Sequence, residues 1–153
     1  MKMSQAVEQS LVVLIMLAVQ QDNAPVKSHI LSSRLEVSES YFKKTMRKLR
    51  IAGIVTAIAS KEGGFKLARP LHQITLLDVY EAIEGEDSFI HSTQLADRIF
   101  KGSDELVKSG TKEVLAIIYD AEQAFKQKLA DYTIADILSH IGEESIEAID
   151  WRE

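Results

Sequence analysis

Apolar residues follow three rhythms along this chain, and each predicts a different kind of element. From Leu11 to Val19 they are nearly continuous. Such a run, opening near Ser4 and stopped by Asp22, Asn23 and Pro25, predicts a first helix buried on more than one face, at the centre of the core. Beyond Pro25 the rhythm turns helical and one-sided. Ser28 is placed to cap a short helix carrying Ile30, Leu31 and Leu35, a tight connection falls at Glu36-Val37, and Ser38-Glu39-Ser40-Tyr41 opens a longer helix. There Phe42, Met46 and Leu49 recur at spacings of four and three, so they share a buried face, while Ser40, Lys43, Lys44 and Arg47 fall opposite.

After Gly53 the pattern changes to strands. Ile54 to Ile58 is β-branched, Phe65 to Ala68 alternates, and Gly63-Gly64 between them predicts a hairpin. Pro70 ends it, and Thr75 caps a helix from Leu76 to Ile83 that stops at Gly85. Residues 86–110 are mixed, with a short helix expected over Thr93 to Phe100 and breaks at Gly102 and Gly110. A long helix follows from about Thr111 to Leu129. Its Val114, Ile118, Ala121 and Phe125 step by four, three and four, a narrow seam of the kind that pairs helices. Packing of that seam against its own domain is the competing expectation. Thr133 to Leu138 forms a closing helix, and the charge-rich stretch from Gly142 to Glu153, with the lone Trp151, is expected to be mobile or to dock on a partner.

The fold class expected is therefore mainly α with a small β-hairpin wing: a winged helix-turn-helix domain over residues 1–85, a variable connector over 86–110, a dimerisation helix and closing helix over 111–138, and an acidic tail over 139–153. With 153 residues and 46% hydrophobic content, one compact domain with an extension is expected. The Leu11–Val19 run is about half of the ~20 residues that cross a bilayer, which predicts a soluble, cytoplasmic protein with no membrane role.

Charge changes the picture more than its total suggests. The net charge of −5 argues against a nucleic-acid partner, but its distribution reverses that inference. Lys27 to Arg69 holds ten cations against three anions, a surplus of seven, and the remainder holds eight cations against twenty anions. A basic module in an acidic molecule concentrates positive potential where a phosphate backbone would lie. A merely solvated charged face is the plainer alternative. A basic helix anchored by its buried face fits a groove ~12 Å wide, and the hairpin after it supplies Lys61, Lys66 and Arg69 for phosphates or a minor groove.

Other chemistry finds little support. Gly63-Gly64 leads into no helix ending in Gly-Lys-Ser/Thr, so it is no nucleotide phosphate loop. The chain has no cysteine, which excludes disulfides, thiolate zinc sites, cysteine nucleophiles and thiolate-held clusters. His29, His72, His91 and His140 are scattered, and only His91 with Asp87 and Asp97 suggests a metal, less simply than a surface histidine does. Glu143-Glu144 lies in a charged tail with no apolar pocket to raise a pKa, and nucleophile motifs are missing, so an enzyme is not expected.

The ordered set Val37-Ser-Glu-Ser-Tyr-Phe42, Leu49-Arg-Ile-Ala-Gly-Ile-Val55, Lys61-Glu-Gly-Gly-Phe-Lys-Leu-Ala-Arg-Pro70, Ile74-Thr-Leu-Leu-Asp-Val79 and Ala82-Ile-Glu-Gly85 resembles the Rrf2 family of transcriptional regulators, and Thr133 to Leu138 resembles its closing helix. The resemblance implies a homodimer, probing successive major grooves of a near-palindromic operator with two recognition helices and the flanking minor groove with its wings. Carried over by position, Ser38, Ser40 and Tyr41 lie at the start of the recognition helix, while Gly63 and Gly64 shape the wing. Joined to the charge and periodicity above, the expected DNA contacts are these with Ser28, Lys43, Lys44, Arg47, Lys61 and Lys66, and the expected dimer seam is Val114, Ile118, Ala121 and Phe125. The regulator expected is a repressor, with an activator as the alternative, its DNA affinity modulated by a small molecule or another protein through residues 86–110. Three departures matter. Glu36 stands where the family usually has glycine, which suggests a less strained turn. Lys43 stands where many relatives carry a glutamate that accepts from cytosine N4, which shifts the expected preference to guanine or phosphate. Phe89 to Lys108, where cluster-binding relatives place three cysteines, contains none, so no cofactor is expected. The rival to a DNA-binding regulator is a winged-helix module for protein–protein assembly.

Overall fold

The computed structural model describes residues 3–88, 93–100, 104–141 and 148–153. They form two compact units, one from residues up to Gly85 together with Ala130–Glu153, the other from Glu86–Leu129.

The first unit is built round helix α1 (Gln5–Val19), whose Val7, Val13, Leu14, Met16 and Leu17 are buried. The near-continuous run is thus covered on several sides, by the helices α3, α4 and α7 and the strand β2 described below. Helix α2 (Ser28–Arg34), a turn, and α3 (Glu39–Ile51) lead into an antiparallel hairpin of β1 (Val55–Ile58) and β2 (Gly64–Leu67). Val55 pairs with Leu67 and Ile58 with Gly64, and one further bridge joins Val26 to Phe65. Phe42 and Phe65 meet edge to face with ring centroids 6.3 Å apart, so α3 and the hairpin share one core.

Helix α4 (Leu76–Glu84) begins at a capping box in which Thr75 and Asp78 exchange hydrogen bonds. Helix α7 (Ile134–Ile141) begins on the same device, Thr133 with Asp136. The two starts are laced together, Leu76 N–H to Tyr132 carbonyl at 2.9 Å and Ile134 N–H to Ile74 carbonyl at 2.8 Å. Residues 148–153 do not stand apart. Gln20 bridges to Ile149, the Trp151 indole N–H donates to the Met16 carbonyl at 2.8 Å, and Arg34 lies over the indole ring at 5.7 Å. Residues 148–153 are therefore docked on α1 of their own chain, and the rest of the Gly142–Glu153 stretch lies outside the described residues.

The second unit holds α5 (Leu95–Ile99) and most of α6 (Asp104–Ala130). The long helix begins earlier than the sequence predicts and passes through Gly110 without a break. A lone glycine costs a helix only about 1 kcal/mol, which twenty-seven residues of continuous hydrogen bonding absorb. Within this unit Glu122 is almost fully buried and accepts from the Ser88 hydroxyl at 2.6 Å. Among the described residues no helix is long and apolar enough to cross a membrane.

Candidate nucleic-acid interface

The α2–turn–α3 segment owes its shape to a few polar contacts. Ser28 does not cap α2: that position belongs to Lys27, and Ser28 is the first helical residue. Its hydroxyl instead donates to the Glu39 carboxylate at 2.8 Å, tying α2 to the start of α3. The turn closes through Glu36 N–H to the Ser33 carbonyl and Val37 N–H to the Ser32 carbonyl. Glu36 takes φ +55°, so the backbone keeps the left-handed conformation that suits glycine, and the turn is not relaxed by the substitution. Ser38 then caps α3 by accepting from Tyr41 N–H at 3.3 Å, with the Ser40 hydroxyl 3.4 Å away.

Along α3 the two faces separate cleanly. Phe42, Thr45, Met46 and Leu49 are buried, while Ser40, Tyr41, Lys43, Lys44 and Arg47 are exposed. The cations on the exposed side differ in their engagement. Lys43 sits 2.7 Å from the Glu39 carboxylate, one turn back, and the lysine first, then Ser28, holds the Glu39 carboxyl below its ordinary pKa. Lys48 donates to the Ile83 carbonyl at the end of α4, a structural use. Lys44 and Arg47 form no ion pair among the described residues and remain available. Glu39 is the residue that sequence reasoning passed over. Its signal was present in the (i, i+4) spacing with Lys43.

The hairpin explains its glycines by backbone approach. A Cβ on Gly63, which is buried, would come within 2.0 Å of the Ile58 carbonyl oxygen, and one on Gly64, at φ +154°, within 2.4 Å of the Val26 carbonyl. Gly64 lies in β2 rather than at the tip, and its bare backbone lets the Val26 segment pair alongside Phe65. Lys61 is exposed in the connecting loop. Lys66 is half-buried on a cleft between the hairpin and the end of α1, and Arg69 is held 3.2 Å from Asp78. The wing cations therefore divide, with Lys61 alone at the loop. In the second unit Val114, Ile118 and Ala121 are exposed and Phe125 is half-buried, with Ile117 and Tyr119 also exposed on the same helix. His91 and the Asp97 side chain lie outside the described residues, and among the rest no three His, Asp or Glu side chains converge as metal ligands.

The family model described as Rrf2, iron-dependent transcriptional regulator, matches residues 3–140. The chain belongs to the Rrf2 family. Its relatives include YwgB of Bacillus subtilis (strain 168), named an HTH-type transcriptional regulator, 33% identical over 94% of this chain and 88% of YwgB. YffB of Lactococcus lactis subsp. lactis (strain IL1403), named likewise, is 34% identical over 90% of this chain and 86% of its own length. In fold the chain is similar to CymR (YrzC), the global cysteine regulator of B. subtilis, with a TM-score of 0.65 at 24% identity, covering 92% of this chain and 98% of CymR. It is similar also to the IscR of T. potens, with a TM-score of 0.59 at 23% identity, over 100% and 97% of the two chains. This Rrf2 chain is accordingly a transcriptional regulator with a winged-helix DNA-binding fold.

The description of the family model raises iron. An iron–sulfur cluster held by the protein needs thiolate ligands, and this chain offers no cysteine anywhere in its length. The donor set does not fit such a group.

Proposed function

We propose that this Rrf2 regulator acts in the cytoplasm as a homodimer that binds a near-palindromic operator and represses transcription. One observation carries the reading: α3 buries Phe42, Met46 and Leu49 and presents Ser40, Tyr41, Lys43, Lys44 and Arg47 outward, a rigid cationic face of groove-reading kind. In this proposal Lys44 and Arg47 contact phosphate or guanine, and Lys43 contacts bases while shared with Glu39. Ser38 and Lys61 add phosphate contacts, and Ser28, Gly63 and Gly64 hold the geometry. Lys66 stands back from the loop. A second copy is the occupant proposed for the apolar residues of α6, because two-fold symmetry supplies two recognition helices for two half-sites.

Selection of bound fragments from random DNA tests the proposal directly. The expected result is enrichment of a two-fold symmetric motif. Neutralising about eight phosphates per dimer gives a slope of log K against log salt near −7. Little affinity at ~0.15 M salt, together with capture of a protein partner, would support the assembly-module reading instead. For the dimer, Ile118→Asp is the suitable variant because Ile118 is exposed in the single chain, so the change spares its own fold. Light scattering should then report a monomer, and a variant still dimeric would move the interface elsewhere.

A further inference from the structure

A cleft of about 730 Å³ opens between the hairpin and the C-terminal end of α1. Its apolar wall includes Leu17 and Leu67, and Asn23, Thr56, Lys66 and Arg69 supply polar groups. Thr56 and Lys66 are direct partners across the hairpin, so their side chains share one face. We propose that this cleft is a binding site for a small organic anion, a carboxylate or phosphate monoester carrying an apolar group.

Size, charge and one unmet buried donor point to that class. The volume lies in the range of small-molecule sites, roughly 300–1,000 Å³. Both charged side chains on the wall are cations. Arg69 spends one nitrogen on Asp78 at 3.2 Å, while its buried Nε has no hydrogen-bond partner among the described residues. A guanidinium carries five donors, and an under-used one suits a two-oxygen acceptor. The side chains of Asn23, Thr56 and Lys66 likewise make no hydrogen bond among the described residues. Gln20 is different: Asp150 and Trp151 already occupy its amide, so it serves as structure. Asn23 on the cleft wall is also held in an uncommon backbone state, φ 51°, beside Asp22 at φ 57°. Consecutive left-handed residues persist where surrounding structure over-determines them, and they gather at ligand sites.

Binding here does not depend on the operator reading, although the same oxyanion chemistry could come from a DNA phosphate. Phenyl phosphate is the probe, with inorganic phosphate and phenol as its two halves, followed by amide chemical shifts in the intact protein at constant ionic strength. The expected result is saturable shifts confined to Asn23, Thr56 and Lys66 to Ala68, tighter for phenyl phosphate than for either half. Arg69→Gln and, separately, Lys66→Gln should each weaken binding roughly tenfold, as loss of one charge-assisted hydrogen bond implies. Asp78 keeps its capping box with Thr75 in the Arg69 variant, and the shift spectrum itself reports whether the fold is retained. Shifts scattered over all surface cations, or equal affinity for inorganic phosphate and phenyl phosphate, would overturn the proposal. So would a cleft that responds to a DNA duplex and not to phenyl phosphate, which would make it a backbone contact. If no duplex binds at all, the operator reading fails while the probe titration still decides the cleft.

Discussion

At the residue scale the most informative positions are those where a side chain is asked to do something unusual. Glu36 occupies a left-handed turn with φ +55° between α2 and α3, and its side chain is exposed. Strain of that kind costs about 1–2 kcal/mol, partly offset in a Glu36→Gly variant by the greater chain entropy of unfolded glycine. The variant should gain roughly 0.5–1 kcal/mol in urea unfolding, and a loss of stability would show that the glutamate makes a contact worth more than the strain. Lys43 and Lys61 differ in a way that DNA binding can read. Lys43 lies on the exposed side of α3, oriented by Glu39, and Lys61 lies in the wing loop. Lys43→Ala should alter base preference in a binding selection, whereas Lys61→Ala should weaken all sequences alike. Uniform loss in both would remove the reading role from Lys43. Burial pattern made the helix face legible in the sequence, but the pairing of Ser28 with Glu39 joins residues on two helices, and no local periodicity announces that.

At the element scale the hairpin is held to a narrow geometry. Its glycines are fixed by backbones that pass too close for a Cβ, at Ile58 for Gly63 and at Val26 for Gly64. Gly64→Ala adds steric overlap with main chain to an unfavourable φ, and neither backbone is free to retreat because Val26 and Phe65 exchange two hydrogen bonds. The expected loss is about 2 kcal/mol or more, measured by thermal unfolding, and a change below 0.5 kcal/mol would mean that the Val26 segment is not held there. The sequence marked Gly63-Gly64 as turn residues, and the structure moves the second into the strand. The reason is a third segment, Val26, supplied from outside the hairpin. Helix α6 shows the opposite limit. Gly110 reads locally as a break, yet the helix continues through it, since propensity is a weak prior against many cooperative hydrogen bonds.

At the scale of the whole molecule, three carboxylates, Glu39 and Asp136 exposed and Asp150 half-buried, bind protons less readily in the folded state than in the unfolded one. Lys43 and Ser28 lower the pKa of Glu39, the Thr133 hydroxyl and backbone lower that of Asp136, and Arg152 with Gln20 holds Asp150 well below the carboxylate range. Unfolding therefore takes up protons on acidification. The contribution is full above the ordinary carboxylate pKa of about 4 and is lost as pH falls below it. Urea midpoints should be level from pH 7 to 5 and decline from pH 4 to 3, and a midpoint unchanged at pH 3 would dismiss these contacts. Asp150 also belongs to the terminal clasp, in which Trp151 bonds to Met16 and Arg34 covers the indole. Sequence alone determined the order of elements, the buried face of α3, the concentration of cations between Lys27 and Arg69 and the absence of any thiolate, because periodicity, charge and composition are properties of the chain. Only the tertiary structure decided which of those cations are spent, Lys48 on α4 and Arg69 on Asp78, and where the last residues lie. Those outcomes depend on which distant groups meet, and a linear pattern carries no record of distance in space.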